Sequence, residues 1–215
     1  MGMALVGVNP SFPLPGLLTA FQNSNAMTQS RSDFFRFPLD DFQEDACQAI
    51  LGSIDKRNAG TWGKTGAFSL HPLKNLNACG DGGFITTNDE KIYSKAKTLR
   101  NHGLEDRNTV NEFGYVSRMD NLQAAILNYR LSKLDEIIEE RRKNANLYFE
   151  GIDTVNVSMP MEKKYEFNTY HTFVIQTEKR DELKNYLSKN LIETAIHYLV
   201  PIHLQPASKS LAYRL

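Results

Sequence analysis

Several residues in this sequence could do covalent or acid–base chemistry by type and spacing. Lys74 closes the stretch FSLHPLK, behind one short apolar run and ahead of another, and so belongs to a loop at the end of a buried strand pair. Desolvation there would lower the amine's pKa and leave more of it neutral and nucleophilic, as imine formation requires. The same spacing suits a surface loop lysine, and both readings stand on spacing alone. Glu44 and Asp45 form an acidic pair ahead of ACQAI, which suits a helix N-terminus. Glycines 80, 82 and 83 around Asp81 could let backbone amides approach an anion. They lack the Lys-Ser/Thr tail of a P-loop and the spacing of a dinucleotide fold, so a tight turn is the better reading. His71, His102, His171, His197 and His203 show no metal spacing, and no metal is expected. Cys47 and Cys79 are too few for a disulfide framework and are expected as reduced, buried thiols.

The elements that must position these residues follow from periodicity. GAFSL (66–70) and GGFIT (82–86) are glycine-bounded apolar runs suited to buried strands. Asn88 is placed to cap a helix with Asp89 and Glu90 in its first turn, Ile92, Ala96 and Leu99 along one face, and Gly103 beyond its end. Ser117 and Asp120 form a capping-box signature before Leu122, Ala125, Ile126 and Tyr129. Leu134, Ile137 and Ile138 extend that apolar stripe toward Tyr148, and the stripe is expected as packing surface. After Gly151 the stretch MPMEKKYEFN (159–168) reads as a linker. HTFVIQ (171–176), RDELKNYLSKN (180–190) and TAIHY (194–198) then read as strand, helix and strand, an α/β signature. Residues 1–43 are rich in Pro, Asn, Ser and Gln without sustained period, and read as irregular.

Composition bounds the function classes. The chain has 215 residues, with 25 Lys plus Arg against 25 Asp plus Glu, so it lacks the basic excess of a nucleic-acid reader. Hydrophobic residues at 41% and charged residues at 23% match a soluble globular protein of one large or two small domains. No run of about 18 apolar residues offers a membrane span. No basic region precedes the apolar stretch at the amino end, so no signal peptide is expected and the cytoplasm is the default compartment.

The stretches EDACQAI, GTWGKTGAFSLHPLKNLNACGDGGFITTND, LRNHG, GYVSRMDNLQAAIL, RDELKNYL and IHYLVPIHLQPA, in that order, resemble the DegT/DnrJ/EryC1/StrS family of pyridoxal-phosphate-dependent sugar aminotransferases. The resemblance runs from about Glu44 to Tyr213. It implies an α/β fold: a partial PLP-dependent transferase of fold type I, like aspartate aminotransferase, with an incomplete large-domain sheet. In this division residues 1–43 are unmatched, 44–150 are the carboxyl-terminal part of the large PLP-binding domain, and 151–215 are a truncated small domain. Lys74 stands where the family has the lysine that bonds the cofactor and later moves the substrate's proton. Lysine there also separates the chain from members with histidine at that place, which are dehydratases. Asp45 matches the aspartate paired with the pyridinium nitrogen, Gln48 the amide on the ring hydroxyl, and Ser69 a hydroxyl that binds the cofactor phosphate.

The activity so implied is amine transfer from glutamate to a keto-sugar nucleotide, for amino-sugar or polysaccharide biosynthesis, by a homodimer with neither nucleic acid nor membrane as partner. Nothing in residues 1–43 resembles the family's Gly-Thr/Ser phosphate segment, and Asp40 and Asp41 interrupt the apolar strand expected before Glu44. Val116 stands where the family commonly has an asparagine that reaches the partner subunit's phosphate. The alternative reading is a non-catalytic fragment or remnant lacking the amino-terminal half of the active site.

Overall fold

The computed structural model describes residues 43–211, so the irregular segment expected over 1–43 lies, apart from Gln43, outside the described residues. In chain order the elements are β1 (Gln43–Asp45), β2 (Ser53–Ile54), β3 (Arg57–Asn58), β4 (Thr65–Ser69), β5 (Gly83–Thr87), α1 (Glu90–Leu99), α2 (Asn121–Leu131), α3 (Leu134–Gly151), β6 (Glu166–Phe167) and α4 (Arg180–Lys189), followed by two short 3-10 segments.

The strands form two small sheets. In the first, ordered β1-β4-β5, β1 runs parallel to β4 with Asp45 level with Ala67, and β5 runs antiparallel with Gly83 opposite Ser69. The two strands expected around 66–70 and 82–86 thus form one residue to either side. Phe68 and Phe84 face each other across them, rings stacked with centroids 4.5 Å apart, a contact that adds to simple area burial. Ala46, Ile50, Leu70, Leu76 and Ala78 complete the core around this pair, and Leu127, Leu134 and Ile138 close it from α2 and α3.

The helix N-terminus expected at Glu44 and Asp45 does not form. Both residues lie in β1, and the Ala46 amide is spent on the Ala67 carbonyl at 2.9 Å, continuing the ladder where a helix would have begun. Helix α1 is capped by Asp89 rather than Asn88: Oδ1 accepts from the amides of Lys91 at 2.8 Å and Ile92 at 3.2 Å. The capping box expected at Ser117 and Asp120 is absent, since α2 starts after Asp120 with no side-chain capping bond. The packing stripe holds at Leu134 and Ile138 of α3, whereas on α2 Leu122 and Tyr129 are 74% and 70% exposed and the buried residue is Leu127, which the stripe did not include. The core touches only one edge of α2. Cys79 is exposed, against the expectation of two buried thiols, because it lies in the loop between β4 and β5; Cys47 is half-buried.

The second sheet, β3-β2-β6, is antiparallel. Its β2–β3 hairpin turns on two residues, Asp55 and Lys56, with φ of 48° and 63°. Such a turn matches strand twist but wants glycine or asparagine. Lys56→Gly is expected to raise stability by about 0.5–1 kcal/mol, the left-handed penalty less the entropy glycine adds to the unfolded chain; the urea midpoint reads it.

The stretch expected as a linker, 159–168, is instead fastened. It carries β6, paired to β2, and Glu162, which holds Arg142 of α3 in a two-pronged pair at 2.6 and 3.0 Å. That guanidinium also donates to the Asn168 carbonyl at 2.5 Å and lies 4.4 Å over the Phe167 ring. Helix α4 forms as expected, whereas the strands expected over 171–176 and 194–198 do not. A strand exists only through its ladder, and among the described residues the single pairing along these runs is Gln176 with Ser158.

Candidate active site at the carboxyl edge of the sheet

β1 and β4 are parallel neighbours, and both end at the same edge: Asp45 is the last residue of β1 and Ser69 the last of β4. The loop after β4 brings Lys74 back to this edge, its amide bonded to the His71 carbonyl at 2.8 Å. In open α/β sheets ligands collect outside the carboxyl ends of parallel strands. This edge gathers a carboxylate, a hydroxyl and an amine.

Lys74 is half-buried. Burial holds its amine below the ordinary lysine value, with charge on Cys47 and Asp45 pulling the other way. Lys74 is thus partly withdrawn from water in its loop after β4. The Asp45 carboxylate accepts the Cys47 amide at 3.0 Å, which fixes it in the turn after β1. Cys47 points its thiol at the Ala67 carbonyl, 3.6 Å away, and burial with the adjacent Asp45 pushes it up to about 12, so it stays a thiol at neutral pH. Ser69 Oγ accepts the His71 amide at 3.3 Å. Gln48 is exposed in the same turn as Cys47. The structure thus brings Asp45, Ser69 and Lys74 to one edge, with Gln48 at its rim.

A second wall, which sequence reasoning missed, comes from residues 168–171. Asn75, beside Lys74 and itself buried, donates from Nδ2 to the carbonyl of fully buried Thr169 at 3.3 Å. Arg141 of α3 donates from Nη1 to the carbonyls of Tyr170 and His171, both at 3.2 Å. Tyr170 sits at φ 43° in the left-handed region, packed against Phe149 and Phe173. His171 is thereby carried to Lys74. Burial lowers its imidazole to about 4, with Lys74, Arg141 and His197 adding positive charge around it. Three buried atoms on these two segments, Asn75 Oδ1, Thr169 Oγ1 and His171 Nδ1, have no hydrogen-bond partner among the described residues. Each such atom costs about 1–3 kcal/mol. The one nearby signal in the sequence was the apolar run after His171, whose residues 172–175 are half-buried.

The His171 shift sets a pH dependence. A base whose folded pKa lies below its ordinary 6.5 leaves the unfolded chain to take the proton first, so stability falls as pH drops from about 6.5 to about 4. The wild type is expected to lose about 1–3 kcal/mol more than His171→Asn across that window, less than the full linkage value because the ring is only half-buried. Urea titrations at stepped pH measure it.

Residues 41–214 match the model of the DegT/DnrJ/EryC1/StrS aminotransferase family. The chain belongs to that family. It is similar to a pleiotropic regulatory protein of Geobacillus stearothermophilus, 38% identical over 174 residues, covering 80% of this chain and 47% of that protein. It is also similar to the dTDP-3-amino-3,4,6-trideoxy-alpha-D-glucose transaminase of Streptomyces venezuelae, 36% identical, with 76% and 44% covered. Among solved structures it superposes on S. venezuelae DesV, in complex with a ketimine intermediate, with TM-score 0.77, 35% identity, and 81% and 47% of the two chains covered. A DegT DnrJ EryC1 StrS aminotransferase from Brucella abortus gives TM-score 0.74 at 34% identity, with 78% and 45% covered. The chain carries a partial form of the α/β fold of these structures. It spans a little under half the length of the relatives it matches. Among the described residues no helix is long and apolar enough to cross a membrane.

Proposed function

We propose that the chain provides the lysine-bearing part of a PLP-dependent aminotransferase site acting on a keto-sugar nucleotide, with glutamate as amino donor. The observation that carries this reading is the convergence of Asp45, Ser69 and half-buried Lys74 at the carboxyl edge of β1 and β4. The donor set fits pyridoxal phosphate: an amine held below its ordinary pKa, a carboxylate fixed in the neighbouring turn, and a hydroxyl closing the adjacent strand. When bound, the cofactor would supply an electron sink for the carbanion formed at the reacting carbon.

The chain's own residues would hold and move protons. The Asp45 carboxylate would keep a proton on the pyridine nitrogen, the condition under which the ring draws electrons. Gln48 would donate its amide to the ring hydroxyl, and Ser69 its hydroxyl to the phosphate. The Lys74 ε-amine, neutral in larger fraction because it is desolvated, would hold the cofactor and then shift a proton at one substrate carbon as base and as acid. A homodimer belongs to this reading, and Phe113, Tyr115, Leu122 and Tyr129, which are 99%, 72%, 74% and 70% exposed, support a further protein surface against them. Residues 44–150 and 151–215 would be the large-domain and small-domain parts, and the cytoplasm the compartment.

The test is covalent capture. The 215-residue chain is mixed with pyridoxal phosphate, reduced with borohydride and mapped by peptide mass. A single adduct on Lys74 is expected, and adducts spread over surface lysines, or none, would sink the reading. An adduct at Lys74 without amine transfer from glutamate would select the non-catalytic alternative.

A further inference from the structure

Lys74 lies between two walls. On one side are Asp45 and Cys47, in and just after β1; on the other is the segment carrying Thr169 and His171. The second wall is held from three directions. Asn75 ties it to the lysine loop, Arg141 clamps the two carbonyls of Tyr170 and His171, and the rings of Phe149 and Phe173 pack on Tyr170. A segment fixed this firmly, at a backbone conformation costly for tyrosine, nonetheless leaves Thr169 Oγ1 and His171 Nδ1 buried with no hydrogen-bond partner among the described residues. Buried polar groups without partners are rare and mark strain or function.

We propose that His171 is a positioning residue for Lys74, its buried Nδ1 accepting a hydrogen bond from the lysine ε-ammonium when that amine is not bonded elsewhere. Arg141 binds the backbone of His171 rather than its ring, so the ring nitrogen stays available. The charged or titratable groups around the imidazole are Lys74 from the β4 loop, Arg141 from α3 and His197 from the carboxyl-terminal stretch. A guanidinium cannot give up its proton, and Lys74 is the group among them whose proton the proposed chemistry moves. With two cations beside it, His171 stays neutral across the working range and keeps a lone pair to offer. The bond would hold the freed amine facing the edge where Asp45 and Ser69 end their strands, so the lysine would spend less time in unproductive rotamers.

This inference rests on Lys74 as the reactive amine, and its test needs no cofactor, so its failure is separable from that of the aminotransferase reading. Competitive labelling of Lys74 by acetic anhydride across pH, read by peptide mass, gives the midpoint of its ionisation. His171→Phe keeps a ring and removes the acceptor, and should move that midpoint down by about one pH unit, the scale of one hydrogen bond to a charged group. His171→Asn returns an acceptor and should restore most of the shift, which a packing role alone would not do. In the reverse direction, Lys74→Met should raise the His171 titration followed by nitrogen NMR, and this reading stands even if the phenylalanine variant fails to fold. Equal midpoints in the phenylalanine and asparagine variants, or an unmoved His171 titration in Lys74→Met, would overturn the proposal.

Discussion

Lys74→Ala is expected to abolish the borohydride-trapped adduct and to lower any amine transfer by at least about 10⁴-fold, the upper end for one positioned acid–base group. The size follows from the double duty proposed for this side chain, as covalent holder of the cofactor and mover of the substrate proton. No neighbour replaces it. Cys47 is pushed up to about 12 and stays protonated, and Arg141 spends its guanidinium on the carbonyls of Tyr170 and His171. Lys74→Arg separates charge from reactivity, since arginine keeps the cation near Asp45 but is not deprotonated in proteins. It should fold as the wild type and trap nothing. Lys74→Ala should also be more stable than the wild type at neutral pH, because burial holds the lysine below its ordinary 10.5. That penalty applies while the amine is charged and disappears as pH rises toward 10.5, so the two unfolding curves should converge there. Trapping in Lys74→Ala at the wild-type level would remove this residue from the site.

What could be read from the sequence was local, and what could not was tertiary. Asp45, Ser69 and Lys74 come to one edge because β1 and β4 end there; the apolar runs of β4 and β5 announce themselves within five residues, whereas β1 does not, and Asp45 and Ser69 stood out as site residues only through the family resemblance. The helices α1, α3 and α4 were legible from periodicity for the same reason. Glu44 was not, since adjacent carboxylates ahead of an apolar run read as a helix start until β4 claims the Ala46 amide. The runs 171–176 and 194–198 have strand composition and no ladder along them, and composition does not report partners. His171 was invisible as a site residue because its burial beside Lys74 depends on contacts as distant as Asn75 to Thr169. Ordering across 94 positions leaves no mark in local spacing.

Glu44→Ala is expected to cost about 3 kcal/mol or more, enough to unfold a small domain of ordinary stability. Glu44 is 4% exposed in the middle of β1, and its two oxygens accept the amides of Gly60 at 2.5 Å and Trp62 at 3.0 Å. Alanine would remove the partner of the buried Gly60 amide and of the part-buried Trp62 amide at once, at about 1–3 kcal/mol for a buried donor. Water has little room to replace the carboxylate, because Gly60, at φ 71°, passes so close to Gly66 of β4 that a methyl on Gly66 would strike its Cα. The clamp thus ties β1 to the segment between β3 and β4, the strand that ends at Ser69. Glu44→Gln keeps one acceptor oxygen and turns an amide NH2 toward the other donor, so it should fall between wild type and alanine. Burial raises the Glu44 carboxyl above its ordinary 4.5, against the pull of the amides of Gly60, Trp62 and Gly63 and the charge of Arg57. A carboxyl raised on folding favours the folded state below its ordinary value, and the advantage fades as pH climbs through the folded value. Urea unfolding of wild type and Glu44→Gln from pH 4 upward should therefore show the wild type losing ground with rising pH while the glutamine variant does not. A Glu44→Ala chain as stable as the wild type would mean that the two amides find other partners.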